Sequence, residues 1–514
     1  EKKIDIIKIL ETAKKSSKFK PIKLLENLTW DEFSKLNVNV HKLQGIYPSV
    51  DFKRYYPGKE ANAHLVGYVS SLTENETYNN PFSKLANAKS GKIGIEKSSN
   101  LDLRGQIGNK RLEINAFGRE IRELNRIESK KGRNIQLTID SDLQRFCYEQ
   151  LDGLSGSIAV TNVHTGEYLA LTSAPAFDPN KFYSGISHDD WNFLTKSLYR
   201  PLINKAISNH YPPGSTIKPF VALAALENGF DPNKRINCDG SYEIKDTSTE
   251  KGIKSFHCWK KKGHGPMNMK KAIQRSCDVY FYTLAREIGI NKIAEVCKRF
   301  GLGAKVFDDF AEELTGTVPN KEWKKRELGN NWMIGETLVA GIGQGYFLAT
   351  PAQLSLATAQ LVNGGKKISS KIIYKDNDLP DQNKSIKNLA DTKHLEFLKD
   401  CLFAATNEQG GTSYRSRLTG KYQFAGKTGT SQVRRISEKE REEGIIKNKD
   451  LEWGQRDHGI FIGYGPINKP KFSISVLIEH GGSGSGAAAP IAKKVMNFIF
   501  KHKIDIKRIV ITDA

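Results

Sequence analysis

The chain has no apolar run approaching the ~20 residues a helix needs to cross a bilayer, and no signal peptide is visible. It begins at Glu1 rather than at a methionine, so an N-terminal anchor ahead of this point is compatible with the sequence. Cysteine is scarce: six in 514 residues are too few for a disulfide scaffold. Zinc-finger spacing, an RNA-binding signature and a Lys/Arg stripe interleaved with aromatics are also missing. The net charge of +22, from 79 basic and 57 acidic residues, therefore gives no case for a nucleic-acid partner. It suits other anionic surfaces, such as membrane headgroups or wall polymers.

What is present fits a folded protein of two or three domains: 514 residues, 38% hydrophobic and 26% charged. Residues 1–132 are rich in Lys and Glu, with strand-like pieces at HLVGYVS (64–70) and RLEINAFG (111–118), and so predict a β-rich N-terminal domain. The polar run ESKKGRN (128–134) marks the boundary. Residues 133–505 form the second domain and 506–514 a tail. IQLTID (135–140) alternates as a strand, and a helix follows with Ser141 and Asp142 as its N-cap pair. SGSIAVTN (155–162) and GEYLALTSA (166–174) read as paired strands. PFVALAALENGF (219–230) reads as a helix ending at Gly229. YQFAGKTGTSQV (422–433) is a further strand, HGIFIGYGP (458–466) and KFSISVLIEHGG (471–482) an antiparallel pair, and 486–503 an amphipathic helix. Strands at both ends with helices between predict an α+β architecture, an antiparallel sheet covered by helices. The charged stretch 434–457 reads as a solvated, mobile insertion. Cys147, Cys297 and Cys401 lie in helical patterns and read as small buried apolar residues.

Three short motifs stand out in the second domain. PPGSTIKPF (212–220) puts Lys218 three residues after Ser215, on one face of a starting helix. A serine alcohol is a weak nucleophile and needs a base; a lysine serves only when its proton affinity is lowered. RSCDVYFY (275–282) places Ser276 and Asp278 at a helix junction. AGKTGTSQV (425–433) puts Lys427, Thr428, Gly429 and Thr430 on a strand. Each has an ordinary explanation: a capping serine, an aspartate favoured by the helix dipole, a lysine protecting an edge strand. In this order they form a signature. Ser-x-x-Lys, Ser-Asp-Asn and Lys-Thr-Gly together mark class A β-lactamases and penicillin-binding proteins. Asp278 replaces the Asn, and a carboxylate only accepts hydrogen bonds. No Glu occupies an obvious deacylation motif, which argues against a β-lactamase.

On these motifs the chain resembles the class B transpeptidases of the penicillin-binding protein 2 branch, which act in cell elongation. GYVS (67–70), GKIGIEKSSNLDLRGQIG (91–108) and INAFGREIREL (114–124) are similar to that family's N-terminal pedestal. SAPAFDPNKF (173–182), YPPGSTIKP (211–219), GIGQGYFLATPAQ (341–353) and EHGGSG (479–484) are similar to its penicillin-binding domain. The likeness covers most of the chain and is weakest before residue 45 and over 366–395. It implies a serine D,D-transpeptidase that cross-links peptidoglycan stem peptides and maintains rod shape. Ser215 would be the nucleophile, Lys218 the base, Ser276 a proton relay and Lys427 the carboxylate holder, with the Ser215 and Thr430 N–H groups as oxyanion hole. Asp278, Thr428 and Gly429 would line the substrate site. β-Lactams would acylate Ser215. The resemblance further implies a single anchor in the bacterial inner membrane, a periplasmic catalytic domain, and as partners a lipid-linked glycan precursor, a membrane-embedded glycan polymerase and a rod-shape scaffold. A D,D-carboxypeptidase or a penicillin-binding sensor without turnover are the alternatives.

Cys238, Cys258, His264 and Cys277 lie within forty residues, in the contexts INCDG, FHCWKKKGHG and SCD. Three thiolates and an imidazole are a structural zinc set. Their spacing is not that of a finger, and the resemblance adds that some family members hold zinc in this region. His257 and Asp239 are rival ligands. A Cys238–Cys258 disulfide, suited to an oxidising compartment, is the other reading; it would leave Cys277 unpaired.

Overall fold

Glycines dictate where the N-terminal elements stop. The computed structural model describes residues 6–15, 22, 24, 25, 28–50, 53–77, 82, 85, 88–115, 120–183, 185–245, 252–375, 388–502 and 507–512. Helix α1 (Lys59–Val66) ends at Gly67, whose φ is 84° and where a Cβ would lie 1.9 Å from the Ile93 carbonyl oxygen. The strand expected over 64–70 therefore begins only at β1 (Val69–Ser71), which pairs antiparallel with β2 (Lys89–Gly91). β3 (Asn109–Ile114) and β4 (Glu120–Ile127) form a second ribbon; residues 116–118 of the strand expected over 111–118 lie outside the described residues, as do 116–119 of the quoted INAFGREIREL. Short helices accompany these strands, so the described part of the N-terminal domain is mixed rather than mainly β.

β5 (Ile135–Asp140) runs straight into α2 (Ser141–Glu149). The cap is Asp140, not Ser141 or Asp142. Its backbone is still extended, and its carboxylate accepts the Leu143 N–H at 2.7 Å. β6 (Gly156–Asn162) and β7 (Tyr168–Ala174) follow, then the buried helix α3 (Lys218–Glu227). β8 (Ile236–Cys238), β9 (Ser241–Lys245), β10 (Ile253–His257) and β11 (Gly265–Met267) make two small ribbons, β9 with β10 and β8 with β11. Helices α4 (Met269–Gln274), α5 (Asp278–Ile288), α6 (Pro351–Val362) and α7 (Thr392–Asn407) precede β12 (Ala425–Ser431), β13 (His458–Gly465) and β14 (Phe472–Ile478). α8 (Ala489–Lys501) and β15 (Arg508–Ile511) close the chain. Residues 376–387, within the stretch of weakest resemblance, lie outside the described residues.

The main sheet is antiparallel in the order β12–β13–β14–β6–β7. Side chains of a strand alternate between faces, and here the alternation sorts them into two cores. Phe461, Ile474, Val476, Ile158 and Val160 pack with Leu143 of α2 and Val495 and Met496 of α8. Ile460, Ile462 and Leu477 pack on the other side with Phe220 of α3 and Leu354 of α6. Lys427 lies opposite Ile462 in the β12–β13 register, so it shares the second face and points toward α3.

Two expectations are corrected here. The tail over 506–514 is in part a strand: β15 pairs antiparallel with β5, Ile511 is buried, and Arg508 bridges to Glu167 at 3.2 Å. Residues 506, 513 and 514 are outside the described set. The insertion 434–457 is folded back in part: Arg434 and Glu440 form a salt bridge at 2.6 Å, and Trp453 packs on His480 at 4.2 Å between ring centroids. One continuous core spans residues on both sides of position 132, the boundary expected from the sequence. Tyr56, Leu65, Ile95 and Leu103 are buried together with Ile135, Leu137, Tyr168 and Phe307.

Candidate active site

Ser215 sits in a 3-10 turn, Gly214–Ile217, that leads directly into α3. It is half-buried. The turn is held by close backbone approaches that only glycine permits. The Gly214 N–H donates to the Gly343 carbonyl at 2.8 Å. Gly214 has a φ of 55°, and a Cβ there would lie 2.6 Å from the Thr430 carbonyl oxygen; a Cβ on Gly343 would lie 2.2 Å from the Gly214 oxygen.

One turn on, the Lys218 amine is fully buried. It donates to Asp278 Oδ1 at 2.7 Å, to the Ser276 carbonyl at 3.0 Å and to Ser276 Oγ at 3.2 Å. Ser276 adopts a left-handed φ of 55°, uncommon for a residue with a side chain. That conformation ends α4 and turns the Ser276 carbonyl to accept both Lys218 and the Trp259 indole N–H, the latter at 3.0 Å. Asp278 opens α5, and its second oxygen accepts the Trp259 backbone N–H at 3.0 Å. Burial pushes the Asp278 carboxyl up, against the opposing pull of Lys218.

Lys427 is also fully buried, and its amine donates to the Thr428 carbonyl at 3.0 Å. Burial first, and then the charge of Lys218, hold this amine well below the usual lysine range. Thr428 Oγ1 donates to Thr412 Oγ1 at 2.7 Å. Gly429 lets the strand lie on the nucleophile turn: a Cβ there would be 2.8 Å from Thr216 Cγ2 and 2.9 Å from the Pro213 carbonyl. β12 is an edge strand. The Thr430 carbonyl faces Gly214 and accepts Gln344 Nε2 at 2.9 Å. Within a strand the N–H and C=O of one residue point to the same side, so the Thr430 N–H also faces the free edge where Ser215 lies. The structure thus brings Ser215, Lys218, Ser276, Asp278, Lys427, Thr428, Gly429 and Thr430 to one place between α3, α5 and β12.

Four residues around this site were not singled out by sequence: Trp259, Thr412, Gln344 and Glu479. Gln344, Glu479 and Trp259 fall inside the quoted segments GIGQG, EHGGSG and FHCWKKKGHG, whereas Thr412 lies in none of them. Glu479 is buried and collects four donors: Ser155 Oγ at 2.5 Å, Tyr211 OH at 2.9 Å, Arg200 at 3.0 Å and Asn209 at 3.4 Å. Burial pushes its carboxyl up, but the Ser155 hydrogen bond and the charges of Lys205 and Arg200 outweigh it and hold the carboxyl below its ordinary value. Glu479 thereby ties down Asn209 and Tyr211, which lead into the nucleophile turn. Replacing it, Glu479→Leu, leaves these donors unpaired and is expected to lower unfolding stability by about 3 kcal/mol. A carboxyl depressed in the fold stabilises above its unfolded value and loses that contribution as pH falls. Urea unfolding from pH 7 down through the range below the ordinary carboxylate value should therefore show the gap between wild-type and Glu479→Leu proteins narrowing as pH falls through the depressed value; a gap independent of pH would contradict the network.

A second cluster adjoins the first. Cys238 ends β8, Cys258 follows β10, His264 precedes β11 and Cys277 caps α5. Their ligand atoms all lie within 4.8 Å of one another, and all four residues are buried. His264 Nδ1 is 3.5 Å from the Cys258 sulfur and 3.7 Å from that of Cys238. The Cys258 thiol is held far below its ordinary value by its contacts with Cys277 and His264, which favours the thiolate that metals bind. All six cysteines are free thiols. The rivals stay outside: His257 is exposed, and Asp239 accepts from Asn237. This donor set fits a four-coordinate zinc ion. Cys277 stands between Ser276 and Asp278, so the two sites share one loop.

Comparisons with known proteins show the family to which this fold belongs. Residues 156–497 match the model of the penicillin binding protein transpeptidase domain, and residues 1–137 that of the penicillin-binding protein dimerisation domain. The chain is 35% identical over 521 residues to a peptidoglycan D,D-transpeptidase MrdA of Haemophilus influenzae, covering 97% of this chain and 77% of that one. It is 36% identical over 501 residues to the MrdA of Acinetobacter baumannii, covering 95% and 72%. Among solved structures, PBP2 in a complex with MreC from Helicobacter pylori superposes with a TM-score of 0.82 at 32% identity, covering 93% of this chain and 85% of that one. Pseudomonas aeruginosa PBP2 in complex with WCK 5153 gives 0.74 at 35% identity, covering 90% and 93%.

Proposed function

The chain belongs to the penicillin-binding protein transpeptidase family, and from this we propose that it is a serine D,D-transpeptidase that cross-links peptidoglycan stem peptides. The observation that carries the reading is the buried Lys218 amine, which bridges Ser276 and Asp278 one turn from Ser215, with Lys427 facing the same space. Burial and the charge of Lys218 lower the proton affinity of Lys427, so the two amines do not both keep a proton cheaply. In this reading a bound carboxylate restores the charge on Lys427, and Lys218, ion-paired with Asp278 before substrate binds, takes the base role in its neutral form.

Ser215 Oγ attacks the carbonyl of the penultimate D-alanine, and its proton passes to Lys218. The Ser215 and Thr430 N–H groups receive the oxyanion. Lys427 binds the terminal carboxylate, and Thr428 and Gly429 line its path. Ser276 relays the proton from Lys218 to the departing D-alanine amine as the peptide C–N bond breaks. The amine of a second stem peptide then attacks the ester, forms the cross-link and frees Ser215. Penicillin enters at the same step. Incubating the protein with donor and acceptor stem peptides should give a dimer with release of D-alanine. Release of D-alanine with water as sole acceptor would sink the transpeptidase reading.

The zinc reading rests on Cys238, Cys258, His264 and Cys277. A bound zinc ion would supply structural cross-linking there, tying β8, β10 and β11 to the start of α5. The residues themselves position Ser276 and Asp278 on either side of Cys277. Metal analysis is expected to find about one zinc per chain, and Cys258→Ser to lose it and lower Tm. Metal-free protein that is acylated by penicillin at the full rate would remove this role.

Residues 1–132 are taken as the pedestal and 133–505 as the penicillin-binding domain. Placement in the inner membrane with the active site in the periplasm, a role in elongation, and docking to a glycan polymerase and to a rod-shape scaffold of the MreC kind belong to the same reading. The exposed side chains of Ile114, Ile121, Leu124 and Ile127 on the β3–β4 ribbon support partner docking by the pedestal.

A further inference from the structure

The two donors of an oxyanion hole must be held a fixed distance apart, because an oxyanion displaced by a fraction of an ångström loses one of them. Here they come from different elements: Ser215 from the turn before α3, and Thr430 from an edge strand whose outer side has no neighbouring strand among the described residues. One dipeptide touches both. The Gly343 carbonyl accepts the Gly214 N–H at 2.8 Å, immediately before the nucleophile. The Gln344 side-chain amide donates to the Thr430 carbonyl at 2.9 Å. Since the carbonyl and N–H of Thr430 share one side of the strand, fixing the first fixes the second.

Resting on the reading of Ser215 and Thr430 as oxyanion donors, we propose that the Gly343–Gln344 dipeptide is the clamp that sets the width of the oxyanion hole, with Gln344 its positioning residue. Gly343 has a φ of 74°, and a Cβ would meet the Gly214 oxygen at 2.2 Å, so the backbone half admits no side chain. The side-chain half needs an amide: a carboxylate of the same shape would put an acceptor against the Thr430 carbonyl. Gln344 touches no reacting atom and acts through Thr430.

The test compares Gln344→Glu and Gln344→Ala with wild type in penicillin acylation. The acylation rate constant is expected to fall roughly tenfold to a hundredfold, while the dissociation constant of the reversible complex stays within about twofold of wild type. The ester carbonyl of the acyl-enzyme, read by infrared difference spectroscopy, should move to higher frequency as it loses hydrogen bonding. Val160→Ala, in the core beyond the opposite sheet face, serves as a control for lost stability; it should not move that band. If Gln344→Glu does not fold, Gln344→Ala carries the test. An unchanged rate in a folded variant overturns the clamp, as does a slower rate with an unshifted carbonyl band. Failure of wild type to form any adduct at Ser215 would instead overturn the underlying assignment.

Discussion

Penicillin adds its mass to the wild-type protein on the peptide containing Ser215, and Ser215→Ala abolishes the adduct. The expected loss is complete because Ser276, the other serine brought to the site, has different surroundings. Ser276 is buried, adopts a constrained φ and is engaged by the Lys218 amine. Ser215 alone combines partial exposure, the start of a helix and the facing edge of β12. Intact-mass and peptide mass spectrometry read the result directly. An adduct that persists in Ser215→Ala, or that maps to Ser276 in wild type, would falsify the nucleophile assignment.

Lys218→Met is expected to slow acylation by about 10²–10⁴-fold, the usual contribution of a general base. It should also destabilise the fold, because Asp278 then remains buried without its cation. Removing one partner of a buried pair costs about 3–5 kcal/mol. Adding Asp278→Asn to Lys218→Met removes that unpaired charge. The double variant should recover much of the lost stability and none of the lost rate. A double-mutant cycle scored by both urea unfolding and acylation separates the two roles. Recovery of rate by Asp278→Asn would show that Lys218 acts through its pairing rather than as a base. The partner amine adds a pH dependence. Lys427 is held below the lysine range by burial and by Lys218, so it sheds its charge as pH rises at a lower pH than an ordinary lysine. Affinity for substrates with a terminal carboxylate should fall over that lower range, whereas affinity for an amidated analogue should not.

The chemistry was more legible in the sequence than the architecture that holds it. Ser215, Lys218, Ser276 and Lys427 could be picked out as candidates because each lies in a short local pattern, and the structure brings the three patterns to one place. The β13–β14 pair is legible because alternation is a local property of strands. The Asp140 cap was missed because a strand flowing without a loop into a helix moves the cap one residue upstream of the polar pair. β15 was missed because its partner lies far back in the chain, and four residues are too few for a period. Thr412 reaches the site from the long connection before β12 and Trp259 from the turn after β10; their hydrogen bonds to Thr428 and Asp278 leave no periodic trace. Gln344 lay within a recognised segment, but resemblance alone did not say what its amide touches.

Tyr56, Leu65, Ile95 and Leu103 interlock with Ile135, Leu137 and Tyr168, and this bears on how the two halves can be dissected. A chain cut at residue 132 would present a greasy scar on each fragment. Loss of partner binding by the amputated enzyme would then report clumping as readily as a missing dock. The same continuity means that a tug on the pedestal is not absorbed by a slack tether but reaches the strands beside the catalytic sheet as mechanical load.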